Sequence, residues 1–80
     1  MEVYGVITIP QDVKPGKDIY PVNKVIPKGR YRVIQWDYKE KDNLCDALDL
    51  INLDTYERIS FLLYNPEKHT KDWIASTEYK

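Results

Sequence analysis

Cysteine and histidine are almost missing from this 80-residue chain, which has one of each, Cys45 and His69. A lone cysteine forms no internal disulfide, the usual staple of small secreted domains. Two such residues also fall short of the four ligands that a structural zinc ion takes. Glycine is nearly as scarce, and Gly5, Gly16 and Gly29 lie too far apart to build a loop that cradles phosphate. No apolar run approaches the roughly 18 residues needed to cross a bilayer, and no signal-peptide pattern is present. The expected setting is therefore cytoplasmic, away from membranes.

Nor do the scarce residues combine into a catalytic set. Cys45 and His69 could pair as nucleophile and base, but nothing in the sequence brings them together or supplies a third group to orient the histidine. Cys45 therefore reads as a packing thiol and His69 as a surface side chain. The acidic stretch from Asp42 to Asp49 lacks the mid-loop glycine and the closing glutamate of a calcium loop. The expectation is a protein that is not an enzyme and carries no cofactor or metal.

What the chain does have is aromatic: seven tyrosines, two tryptophans and one phenylalanine within a 42% hydrophobic composition. That content builds one core and excludes a disordered chain. The length fits a single domain over residues 1–80. Net charge is −1, yet it is unevenly spread. Between residues 14 and 32 stand Lys14, Lys17, Lys24, Lys28, Arg30 and Arg32 against Asp18 alone. Between residues 37 and 57 seven carboxylates face only Lys39 and Lys41. Two such blocks can orient a charged partner during encounter, or attract one another as solvated surfaces.

Strand patterns dominate. Residues 3–9 are β-branched and aromatic, with Val3, Gly5, Ile7 and Ile9 on one face, and Pro10 ends them. Residues 10–24, punctuated by Pro10, Pro15, Gly16 and Pro21, read as a long loop pinned to the core by Ile19, Tyr20 and Val22. Ile26 to Gly29 has the residues of a type I turn. The strand from Arg30 to Tyr38 puts Tyr31 and Val33 on one face, but Arg30, Arg32, Ile34, Trp36 and Tyr38 on the other. Two arginines followed by three large apolar groups do not make one surface, so a bulge near Val33–Ile34, or a curl of the strand, is expected.

Residues 39–43 read as a polar turn. The segment after it is ambiguous. Leu44, Ala47, Leu48 and Ile51 fit helical spacing, whereas residues 48–53 alternate as a strand. A short helical turn near residues 43–50 passing into a strand is the reading adopted. After a hairpin at residues 54–56, residues 57–64 form a strand with Ile59, Phe61 and Leu63 inward. Asn65 and Pro66 break it, residues 65–72 read as a loop, and Trp73 to Ala75 as a brief last strand or turn.

This order of strand, long loop, Pro-Gly turn, strand, polar loop, hairpin and short closing segment Trp73–Tyr79 resembles a small five-stranded SH3-like barrel. Such barrels are frequent among short proteins of bacteriophages and mobile elements, and an OB-type barrel is the rival architecture. The resemblance implies a mainly β fold and, in a phage setting, inhibition or modulation of a host protein. It carries over no binding residues. The chain lacks the paired tyrosines, acidic loop and third-strand tryptophan with which SH3 domains hold proline-rich peptides.

Two functional readings follow from the residues. In the first, Tyr20, Trp36 and Tyr38, with Tyr64 or Trp73 nearby, anchor a protein partner while Lys28, Arg30 and Arg32 add cationic donors, and the acidic 37–57 block forms a separate face that docks a basic partner or mimics the charge of nucleic acid. In the second, the basic and aromatic stripe over residues 24–38 holds a nucleic-acid strand by phosphate contacts and base stacking. For Trp36 and Trp73 the opposing expectation is a place in the core, because a domain this small needs large side chains at its centre.

Overall fold

The computed structural model describes residues 2–38 and 44–79. Its organising strand is β3 (Gly29–Trp36), flanked in sequence by β1 (Gly5–Ile9), β2 (Ile19–Tyr20), β4 (Cys45–Asn52) and β5 (Arg58–Tyr64). One helix follows, α1 (Glu67–Ala75). The five strands make a single antiparallel sheet in the order β1-β3-β4-β5-β2. Among the described residues no ladder joins β1 to β2, so the sheet is open rather than closed into a barrel. Among the described residues no helix is long and apolar enough to cross a membrane.

The predicted bulge lies where the two faces of β3 conflict. Val33 pairs with Leu50 and Gln35 with Asp49, which leaves Ile34 as the extra residue. Inserting one residue shifts the side-chain alternation by one, and the faces change over at that point. Tyr31, Val33 and Trp36 therefore all point inward, while Arg30, Arg32 and Ile34 stay exposed.

β4 corrects the expectation of a helical turn near residues 43–50. It is a strand from Cys45, paired with β3 on one side and with β5 on the other; Lys39 to Asn43 lie outside the described residues. Asp46, Leu48, Leu50 and Asn52 are its buried face. The helical spacing of Leu44, Ala47, Leu48 and Ile51 is accidental, because Leu44 and Ala47 are exposed. Two flanking ladders satisfy the strand's backbone groups and override the local pattern.

At the β4–β5 hairpin Asn52 accepts from the amides of Asp54 and Thr55 at 2.8 and 3.0 Å, and Tyr56 takes a positive φ of 61°. The loop over residues 10–24 holds more order than its prolines suggest. Ile19 and Tyr20 pair with Leu63 and Leu62, and Val13 pairs with Ile26. Only Ile19 of the three expected pins is buried, since Tyr20 and Val22 face solvent.

The second correction is at the C-terminal end. Residues 67–75 are helical, not a loop followed by a strand. Pro66 stands at the helix start, where its missing N–H costs nothing, and Glu67 complements the positive end of the helix dipole. Thr70 and Trp73 are the buried residues of α1, and the Trp73 ring meets Trp36 edge-on at 6.3 Å. Past the helix, Val6 and Glu78 exchange backbone hydrogen bonds of 2.9 and 2.7 Å, which covers the outer edge of β1. Gly5 makes this approach possible, because a Cβ there would collide with the Glu78 carbonyl.

Candidate functional site

The inward face of the sheet is filled by the core, so any site for a partner lies on the outward face. Strand alternation brings Arg32, Ile51 and Arg58 into one row across β3, β4 and β5. Gln35, Asp49 and Ser60 form the next row, and Ala47, Leu62 and Tyr20 a third that reaches β2. The face thus grades from basic through polar to apolar.

Between the polar and apolar rows lies a groove of about 420 Å³, lined by Tyr20, Pro21, Gln35, Ala47, Asp49, Ser60 and Leu62 together with Leu48 and Phe61. Its polar rim is fixed internally. Arg58 donates to both Asp49 carboxylate oxygens, at 2.9 and 2.5 Å, and the Ser60 hydroxyl donates to Oδ1 at 3.0 Å. These bonds, the arginine's first, hold the Asp49 carboxyl below its ordinary value of 3.8 and raise Arg58 further. Tyr64, 39% exposed, follows Leu62 by two residues and extends the apolar end along the same face.

The six residues expected to bind a partner divide between this face and the interior. Tyr20 is 58% exposed and forms one wall of the groove. Arg30 and Arg32 project outward from β3. Arg30 is held by the Glu78 carboxylate at 2.7 Å, whereas Arg32 has no ion pair among the described residues. Lys28 is exposed, and its backbone amide donates to Asp12 at 2.8 Å. Trp36 is a core side chain, 1% exposed, whose indole N–H donates to the buried Asp46 carboxylate at 3.1 Å. It offers no surface for anchoring, because the bulge turned it inward. Tyr38 is half-buried and packs edge-on against the Trp36 ring at 6.1 Å. Trp73 is likewise core.

Sequence reasoning missed Pro21, Gln35, Ala47, Asp49 and Ser60. The alternation in β5 contained part of the signal, since Phe61 and Leu63 inward put Ser60 and Leu62 outward. The rest required β4 to be a strand. Among the described residues no ion pair joins the two charged blocks. The ion pairs between described residues are Arg30–Glu78, Arg58–Asp49 and the contacts of Asp18 with Lys68 and His69. Asp18 accepts from Asn65 at 3.3 Å and lies 3.4 Å from His69 Nε2, contacts that lower its carboxyl and tie the entry to β2 to α1. His69 thus sits on a helix beside a carboxylate rather than in a loop.

Among the described residues no three His, Cys, Asp or Glu side chains converge on a metal position. Comparison with protein-family models, curated proteins and solved structures finds no match, so the chemistry of this face stands on its geometry.

Proposed function

We propose that this chain is a non-enzymatic protein-binding module that engages its partner through the outward face of β3, β4, β5 and β2. The observation that carries this reading is the groove beside Tyr20 and Leu62: an apolar floor, a polar rim already satisfied by the Arg58–Asp49–Ser60 bonds, and the exposed Tyr20 and Tyr64 rings on the same face. Rigid aromatic and aliphatic anchors inside a polar border are what a protein interface concentrates. The rim bonds hold the surface in one shape before the partner arrives, which lowers the entropy lost on binding.

The nucleic-acid reading draws less support. Arg30 of the 24–38 stripe is already paired with Glu78, and Trp36 is withdrawn from that stripe into the core. Phosphate affinity rises with the number of cations available for counterion release. Kinship with phage-encoded SH3-like barrels, and modulation of a host protein, form the outer part of the proposal; they rest on the order of elements.

Photo-crosslinking tests the face. A crosslinking amino acid at position 62 or 20 should trap a discrete protein adduct in a lysate of the source organism, and the same group at exposed Gln11 should not. An Arg32→Glu substitution should weaken capture without unfolding the domain. Equal adducts from all three positions, or adducts at Gln11 alone, overturn the reading.

A further inference from the structure

One side of β5 is unfinished. Tyr64 donates its backbone N–H to the Asp18 carbonyl at 2.6 Å, so the main-chain groups of Tyr64 point toward β2. Alternation with period two then turns the N–H and C=O of Leu62, Ser60 and Arg58 to the same side. β2 spans only the Leu62 and Leu63 positions, and Pro21, which has no N–H, follows it. Among the described residues nothing hydrogen-bonds the backbone groups of Arg58 and Ser60 on that side.

We propose that this open edge takes up an extended, acidic segment of a partner protein as an added strand beside β5. The inference rests on the protein-binding reading above and names its mode. Two adjacent donor–acceptor sets about 6.8 Å apart match the repeat of an extended chain, which can satisfy both at once. The groove bordered by Pro21, Ser60 and Leu62 lies next to this edge and can take one side chain of the incoming strand.

Charge selects the occupant. The incoming residue opposite Arg58 falls on the outward face, where the Arg58 side chain is 64% exposed even while it holds Asp49. Arg58 uses Nε and Nη2 for Asp49, which leaves further N–H groups for a second carboxylate. A partner strand with an acidic residue two positions from an apolar one therefore fits, the first meeting Arg58 and the second the groove. A second copy of this chain does not supply that acid, because pairing two β5 edges over residues 58–60 sets Arg58 opposite Ser60 or Arg58 of the other copy. The Arg58 side chain lies along β4 toward Asp49, so it does not screen the edge as charged residues on exposed strands commonly do.

The test uses a displayed library of random short peptides panned against the whole chain. Enriched peptides should carry the acid–x–apolar spacing. Backbone N-methylation of the best peptide, one residue at a time, should weaken binding by about tenfold at alternate positions and little at those between, because one edge of a strand meets β5. Ser60→Pro, which removes an edge-facing N–H that makes no internal bond, should abolish binding, while Ser60→Ala, which keeps the N–H, should retain it. If the proline variant does not fold, the methylation series decides alone. No enrichment, a methylation profile without alternation, or a homodimer in light scattering that Ser60→Pro dissociates, each overturns strand addition. Peptides that bind without alternation yet are lost in Leu62→Asp would leave the outward face as the binding surface and remove only the added strand.

Discussion

Replacing Gly5 with alanine tests how the C-terminal segment is attached to the sheet. Gly5 has φ +93°, a region that side-chain-bearing residues rarely adopt, and a Cβ there would also lie 3.1 Å from the Glu78 carbonyl carbon and 3.2 Å from Tyr79 Cα while striking the carbonyl oxygen. The backbone strain costs about 1–2 kcal/mol. To relieve the clash the segment must leave β1, which breaks the two Val6–Glu78 hydrogen bonds, worth about 1 kcal/mol each. The Tyr4–Tyr79 ring contact at 4.7 Å goes with them. The total is about 3–4 kcal/mol, against a stability on the order of 4–12 kcal/mol for a chain of this size. At about 4–8 °C per kcal/mol, Gly5→Ala should lower Tm by roughly 12–30 °C. The assay is thermal unfolding followed by tryptophan fluorescence, in the full chain and in one cut after Thr77. In the shortened chain the clash is absent, so the same substitution should cost only the backbone strain. A loss under about 4 °C in the full chain, or equal losses in both backgrounds, refutes the account.

Two further outcomes follow from the polar contacts. Asp49→Asn should destabilise the fold at neutral pH and not at about pH 2. The Asp49 carboxyl is held below 3.8 in the folded state, so its contribution is present above that value and is lost as pH falls through the lowered one. Urea midpoints of parent and variant at the two pH values check this. Trp36→Phe removes the only indole donor to Asp46 and should cost about 2 kcal/mol, because a buried carboxylate loses a hydrogen bond; the midpoint in urea measures it.

The outward face was legible wherever a strand announces itself by alternation alone. β1 and β5 did so, because Ile7, Ile9, Phe61 and Leu63 occupy alternate positions and are buried, although the C-terminal segment also covers Val6 on the other side of β1. The bulge in β3 was legible for a related reason: arginines and large apolar groups cannot share one side of a regular strand. β4 was not, since its inward face includes Asp46 and Asn52, whose burial depends on partners distant in sequence or supplied by a hairpin. Asp46 is buried beneath the Trp36 indole, and Asn52 serves the β4–β5 turn. α1 was hidden too, because only Trp73 and Ile74 among its residues are large and apolar. The useful cue was Pro66 followed by Glu67, which can start a helix as well as end a strand.

By itself, the order of residues determined a mainly β chain, the placement of the strongest strands, the change of face in β3 and the segregation of charge along the polypeptide. These depend on side-chain period and backbone preference, which act over a few residues. Tertiary structure alone decided that Cys45–Asn52 is a strand, that two tryptophans meet in the core, and that Tyr20 stands beside Leu62 and Ala47 to wall a groove. It also decided that β2 stops short and leaves the edge at Arg58 and Ser60 open. Each is a contact between segments far apart in the chain, and its free energy exists only once the other strand is in place.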